Sequence, residues 1–341
     1  RLKRRARSQP AARTPRPHEE KYRIVGPIGQ GAFGIVLKAT VVESGVTVAI
    51  KRINLAARSK LQVMRELCSL RNCDHVNIVT LIDCTCSAST MSLIMEYVPY
   101  SLKQIIPIKG RNTIFQMTIV FFFRQLLHAL AYLHKYNLMH RDIKPGNVLI
   151  TASNVIKLAD FGQACLYHPD QPERQYEEQV GTRWYRAPEL LFSHLQYSPS
   201  IDWWSAGCVL VEMINGQPPF TGRSDLEQIS CMFQRLGTPT DRSWPEFASY
   251  PDASKISFDY IAAPRDLRSI VPRASPPLRS LLSSMLCLSP SRRKSPSLLL
   301  KHRLLISAPR SIDYRIQTSA AGPHDDQNML TLDSIFADMS L

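Results

Sequence analysis

The sequence predicts an α+β chain of two lobes, a small β-rich one followed by a larger, mainly helical one. Three observations carry this. Residues 21–97 break into short apolar or alternating runs separated by glycine-containing turns, the period-two signature of strands. After Pro99 the pattern changes to long apolar stretches of helical length. The chain has 341 residues and is 44% hydrophobic, enough to bury a sizeable core in one large bilobal unit or in two to three domains. Clefts between two lobes are favoured ligand sites.

Taken in order, Tyr22–Gly29, Gly34–Val42 and Val46–Asn54 read as strands, with Gly45 in the second turn. A helix is predicted over about 59–72, then strands near 78–86 and 91–97 and a short link at 96–101. Helices follow over Met117–Lys135, Ile201–Asn215, Leu226–Leu236 and Pro276–Cys287. The small lobe then spans 21–97 and the large one 102–308. Residues 309–341 read as a polar tail, with one short amphipathic helix possible at Met329–Met339. Arg124, Gln125 and His128 interrupt the apolar run Met117–Leu133. It therefore falls short of the ~18 clean apolar residues of a membrane span and reads as a buried helix.

The net charge of +14 is uneven: residues 1–18 hold seven Lys and Arg and no acid, half of the excess. With Pro10, Pro15 and Pro17, residues 1–20 read as a disordered basic tail. Leu2–Arg7 suits a nuclear import signal or an anionic surface. The bland alternatives are a merely solvated tail or an extension foreign to the native protein, since the chain does not open with Met. Nucleic-acid binding through this tail is a weak reading. No apolar core follows, which excludes a secretory signal. The eight cysteines contain no Cys-x-x-Cys pair, which argues against zinc, and a chain this large is an unusual disulfide scaffold. Reduced thiols are the expectation.

The chemistry concentrates in His140-Arg141-Asp142-Ile143-Lys144-Pro145-Gly146-Asn147 and Asp160-Phe161-Gly162. These residues suit phosphoryl transfer. Asp142 can take a hydroxyl proton, Lys144 can hold the moving phosphate, and Asn147 and Asp160 can hold magnesium. Upstream, Gly29-Gln30-Gly31-Ala32-Phe33-Gly34-Ile35-Val36 is a Gly-x-Gly-x-x-Gly-x-Val string, weak by itself. A dinucleotide fold would need a helix to start there. A strand-like run follows instead, so the glycines fall on a β-turn where backbone N–H groups can approach phosphates. Val48-Ala49-Ile50-Lys51 puts an ammonium on the next strand, and Glu66 in the following helix is the carboxylate that could hold it.

In this order the motifs resemble those of eukaryotic protein kinases, and of the cyclin-dependent kinase family of the CMGC group in particular. Trp184-Tyr185-Arg186-Ala187-Pro188-Glu189, Leu236-Gly237-Thr238-Pro239 and Trp244-Pro245 carry the group resemblance, from about Lys21 to Pro309. Lys255-Ile256-Ser257-Phe258 and the string from Gly31 to Lys51 are most similar to the cell cycle-related kinase branch. The resemblance implies the bilobal kinase fold and an ATP- and Mg2+-dependent serine/threonine kinase. Gly29, Gly31 and Gly34 would cover the ATP phosphates, with Ile28, Val36 and Ala49 also in the ATP site. Met95 would stand behind the adenine, and Glu96 and Val98 would offer backbone groups to it. Lys51 would pair with Glu66, Glu189 with Arg293, and Asp202 would brace the loop at His140. Lys144 marks a serine/threonine rather than a tyrosine kinase. An intracellular location follows by resemblance, in the nucleus, cytoplasm or cilium.

Three departures from the family bear on regulation. Many members carry a Thr-Tyr pair in the glycine loop whose phosphorylation inhibits; Ala32-Phe33 has no hydroxyl, so that brake should be absent. The position of the activating phosphothreonine is Glu177, and no Ser or Thr lies between Gln163 and Gly181. Of the three arginines that usually gather around that phosphate, Arg65 and Arg141 match and the third position is Cys165. One less negative charge faces one less positive charge, so Glu177 should pair with Arg65 and Arg141 and partly order the loop. The alternative is a solvated acid on a loop that a partner orders. Finally, Gly181, before Thr182, can take the left-handed backbone that favours proline after the phosphoacceptor. Substrates with Ser/Thr-Pro sites are expected.

Only the Arg-Glu end of Ser59–Glu66 matches the helix that meets cyclins. A cyclin-like activator, another partner and autonomous activity all remain open. The competing reading of a different class is a catalytically weak or inactive kinase-fold scaffold. A mitogen-activated kinase would need a Thr-x-Tyr that Tyr176-Glu177-Glu178 does not supply.

Overall fold

Alternation along the third strand sets the geometry of the small lobe. In the computed structural model, which describes residues 21–31, 34–106 and 115–316, strands β1 (Tyr22–Gly31), β2 (Gly34–Val41), β3 (Thr47–Asn54), β4 (Leu81–Cys86) and β5 (Thr90–Glu96) form one antiparallel sheet in the order β1-β2-β3-β5-β4. Val48 and Ile50 join Tyr22, Leu37, Ala39 and Ile94 in a small core on the outer face. Ile53 points the other way, with Leu93 and Met95, into the core continuous with the large lobe. Lys51 shares that inner parity and so faces the cleft. Helix α1 (Lys60–Arg71) starts at Ser59, whose Oγ accepts from Gln62 N at 3.2 Å, and buries Val63, Glu66 and Leu70 beneath the sheet.

The strand expected near 78–86 begins only at Leu81. Residues 77–79 run instead along the large lobe: Val79 N donates to Leu158 O at 2.9 Å and Leu158 N to Asn77 O at 2.8 Å. This stretch sews the two lobes together. The link after Glu96 leads through buried Val98 into β6 (Tyr100–Ser101).

In the large lobe, α2 (Gln116–Lys135) buries Ile119, Val120, Phe121, Phe122, Phe123, Leu126 and Leu130 and forms the central pillar. Among the described residues no helix is long and apolar enough to cross a membrane. Strands β7 (Leu138–Met139), β8 (Val148–Ile150), β9 (Ile156–Leu158) and β10 (Cys165–Leu166) frame the loops that hold His140–Asn147 and Asp160–Gly162, β7 pairing with β10 and β8 with β6 and β9. Helices α3 (Ser200–Asn215), α4 (Asp225–Leu236) and α5 (Pro276–Ser283) are the longer of the lobe's other helices.

The α5 helix stops four residues short of the Cys287 that periodicity suggested. The Ser283 and Ser284 hydroxyls bond to Ser280 O at 2.9 and 3.2 Å, competing with the helical ladder. The chain then turns so that Met285 and Leu286 can both be buried. Residues 309–316, expected as polar tail, lie along the lobe: Arg124 Nη2 holds Pro309 O at 2.7 Å, and Tyr314 meets the Phe122 ring edge-on. The basic tail over 1–20, the Ala32-Phe33 pair and the helix suggested at Met329–Met339 lie outside the described residues.

Candidate active site

Lys51 bridges two carboxylates. Its Nζ lies 2.6 Å from Glu66 Oε1 and 2.8 Å from Asp160 Oδ1, joining β3, α1 and the turn after β9. Burial alone would lower the Lys51 ammonium, but Asp160 and Glu66 outweigh it and hold its pKa above the ordinary value. The surrounding protein takes some water from Asp160, which alone would raise it, yet Lys51 outweighs that and holds the partly exposed carboxyl at about 2. Both groups are therefore charged across the physiological range. Glu66 also accepts from Arg58 Nη1 at 2.5 Å, a partner that nothing in the sequence pattern singled out.

The His140–Asn147 loop is hung from α3. Asp202, fully buried at the start of that helix, accepts from His140 N at 2.9 Å and Arg141 N at 2.8 Å. Burial works against the Asp202 charge, and His134 together with these backbone donors keeps its pKa low. Arg141 and Asp160 both sit at positive φ, 67° and 62°. Such backbone is costly for non-glycine residues and clusters where geometry is over-determined by function.

Asp142 stands at the centre. Its Oδ2 accepts from Lys144 Nζ at 2.7 Å and Asn147 Nδ2 at 3.0 Å. Its Oδ1 accepts from Thr182 N at 3.0 Å and Thr182 Oγ1 at 2.8 Å, and Lys144 Nζ reaches Thr182 Oγ1 at 3.0 Å. One carboxylate thus gathers the His140–Asn147 loop and the segment after Gly181. Asn147 Nδ2 also donates to Asp142 O at 2.8 Å, so the side-chain oxygen remains for a ligand. Ala159 N donates to Asn147 O at 2.9 Å and brings Asp160 alongside. An amide oxygen and one carboxylate, completed by substrate phosphates and water, is a donor set that suits magnesium.

The side of the cleft formed by the sheet and the link is apolar. Ala49 and Met95 are buried on the inner face of the sheet, Val98 is buried in the link, Val36 is half-buried and Ile28 is exposed above the cleft. The Glu96 side chain is used structurally, accepting from Lys157 Nζ at 2.7 Å and Thr80 N at 2.8 Å, which fixes the link. Gly29 and Gly31 lie in β1 and Gly34 opens β2, where a Cβ would lie 1.9 Å from Arg52 O.

In the segment before Gly181, Arg141 Nη2 donates to Glu177 Oε2 at 2.5 Å and Arg65 Nη1 donates to Glu177 Oε1. Burial would raise Glu177, but Arg141 and Arg65 hold its pKa below the ordinary glutamate value. Cys165 sits in β10 opposite Met139. Tyr197, which the sequence pattern did not single out, accepts from Arg141 Nη1 and donates to Glu177 O, both at 2.8 Å. Gly181 has φ 74°, and a Cβ there would lie 2.8 Å from Arg141 O. Arg186 donates to Val180 O at 3.0 Å and Gly181 O at 3.2 Å. Beneath, Arg293 Nη1 and Nη2 each reach Glu189 at 2.7 Å in a fully buried pair.

The comparisons agree with this geometry. Residues 22–305 match the family model described as protein kinase domain. The chain is 38% identical over 294 residues to cyclin-dependent kinase 20 of Mus musculus, covering 85% of this chain and 84% of that protein. The Homo sapiens protein of the same name matches to the same extent. Cyclin-dependent kinase D-1 of Arabidopsis thaliana is 37% identical over 290 residues, 84% of this chain and 71% of its own. The chain belongs to the protein kinase family and, within it, to the cyclin-dependent kinases, and it is a serine/threonine protein kinase of that kind.

Proposed function

We propose that the cleft binds ATP with magnesium and that Asp142 serves as base toward Ser or Thr hydroxyls followed by proline in protein substrates. The observation that carries this is the Asp142 carboxylate, held by Lys144, Asn147 and Thr182 at the mouth of the cleft. Kinases of this family use ATP and Mg2+.

The bond changes are simple. The substrate oxygen bonds to the γ-phosphorus, the bond from that phosphorus to the bridging oxygen of ADP breaks, and the hydroxyl proton goes to Asp142. Lys51 meets the α- and β-phosphates and Lys144 the moving phosphoryl group; both are positioning and electrostatic contributions. Magnesium, held by Asn147 and Asp160, would neutralise the phosphate oxygens. Ile28, Val36, Ala49, Met95 and Val98 enclose the adenine.

Specificity for proline follows from carbonyls already taken. Arg186 occupies Val180 O and Gly181 O, so a substrate N–H one residue past the acceptor finds no partner there. Proline has no N–H to leave unpaired. Glu177, joined to Arg65 and Arg141, orders the loop in place of a phosphate. A cyclin-like activator would add to this arrangement at α1. An intracellular site of action, in the nucleus or cytoplasm, fits eight cysteines that are all free.

Assay of the purified chain on a degenerate peptide library tests the reading. Magnesium-dependent transfer enriched at Ser/Thr-Pro and abolished by Asp142→Asn is expected. Transfer with no proline enrichment would refute the specificity, and transfer that survives Asp142→Asn would refute the base.

A further inference from the structure

Arg58 lies in the turn before α1 and is almost wholly buried, 7% exposed. Two of its hydrogen bonds bear on the cleft. Nη1 donates to Glu66 Oε2 at 2.5 Å, and Nη2 donates to the carbonyl of Gly162. The approach to Gly162 is close enough that a Cβ on that residue would lie 2.8 Å from Arg58 Nη2. One side chain thus ties the helix carrying Glu66 to the turn carrying Asp160, across 104 residues of sequence.

The charge pattern gives this a purpose. Lys51 is shared between Glu66 and Asp160. With ATP and magnesium bound, Lys51 would share its charge with phosphate and Asp160 would serve as a ligand to the metal. Glu66, 1% exposed, would then be a buried carboxylate with a weakened partner. A buried charge that loses its counter-ion is costly. Arg58 is the second cation on Glu66 and is not needed by the phosphates. Arginine suits the place, being always charged and presenting donors to acceptors in two directions.

We propose that Arg58 is a positioning residue for phosphoryl transfer, an internal strut that keeps α1 and the Asp160–Gly162 turn in the transfer-competent arrangement within a single chain. The proposal rests on the reading of Lys51, Glu66 and Asp160 given above. It assigns to this chain's own residue part of the work of holding α1 inward.

The test is steady-state kinetics of the full chain on a Ser-Pro peptide, normalised to active sites by nucleotide titration. Arg58→Met keeps the apolar stem but removes the charge and its hydrogen bonds to Glu66 and Gly162; kcat should fall about tenfold or more, with the KM for peptide unchanged. Arg58→Lys keeps the charge but has one ammonium for two acceptors, and should lose roughly threefold. In a Glu66→Gln background Arg58→Met should cost less than in the wild type, because Arg58 acts through Glu66. Equal losses in both backgrounds would overturn that route. Should Arg58→Met fail to fold, Arg58→Lys at wild-type kcat is enough to overturn the two-acceptor role. An Asp142→Asn variant that still transfers phosphate would instead overturn the underlying kinase site.

Discussion

Arg141 Nη2 reaches Glu177 Oε2 at 2.5 Å, joining the residue beside the candidate base to the loop before Gly181. Arg65 of α1 completes the bridge, so one carboxylate links the small lobe, the His140–Asn147 loop and the loop before Gly181. Glu177→Ala should lower kcat about tenfold, a modest effect because the carboxylate is partly exposed and its pairs are screened. Glu177→Gln should keep part of the activity. The Glu177 pKa is depressed from 4.5, so its contribution is complete above that value and is lost as pH falls through the depressed one. Loop protection measured by hydrogen exchange from pH 7 to 5 should therefore show no loss from this pair.

Lys51 should be far more sensitive. Lys51→Met leaves buried Glu66 with Arg58 alone and Asp160 without its cation, and should reduce kcat/KM for ATP on the order of a hundredfold. The Lys51–Asp160 pair is intact above the ordinary Asp value of 3.8, weakens as pH falls toward about 2, and is lost at high pH only as Lys51 titrates above its ordinary 10.5. A pH–rate profile should show no ionisation of this pair between pH 5 and 9.

Arg186 offers a way to separate activity from specificity. Arg186→Ala frees the carbonyls of Val180 and Gly181, so peptides without proline after the acceptor should gain relative to Ser-Pro peptides. The ratio of their kcat/KM values is the readout. Gly181→Ala tests the same turn from the other side. A side chain at φ 74° costs about 1–2 kcal/mol, before its contact with Arg141 O, and should raise the peptide KM.

The Glu189–Arg293 pair is structural. Both side chains are fully buried, so Arg293→Ala strands a charge and should destabilise the chain by about 3–5 kcal/mol, seen as a lower thermal midpoint.

Ala32 and Phe33 carry a prediction from residue type alone. Mass spectrometry of the chain from cells should find no phosphate on the glycine loop, and phosphate there would contradict it.

What could be read from sequence was what is local. Lys51 faces the cleft because β-strand parity puts it opposite Val48 and Ile50, and Asp142, Lys144 and Asn147 lie within one tight loop. The contacts of Glu177 with Arg65 and Arg141 were legible only through family resemblance, since 112 residues separate Glu177 from Arg65. Arg58 left no signal. It is a single arginine before a helix cap, and its role exists only because the turn folds onto Gly162. Tyr197 is similar: a tyrosine in an irregular segment gives no hint that its hydroxyl joins Arg141 to the Glu177 backbone. The overrun of α5 to Cys287 has a different cause, because apolar spacing continues while serine hydroxyls take over the helix end.

The most direct measurement is γ-phosphate transfer to a Ser-Pro peptide by the purified chain, shown by mass spectrometry to carry no phosphate between Gln163 and Gly181. Transfer that requires magnesium and disappears in Asp142→Asn is the predicted result. An unphosphorylated chain that transfers nothing until its loop is phosphorylated would contradict the account.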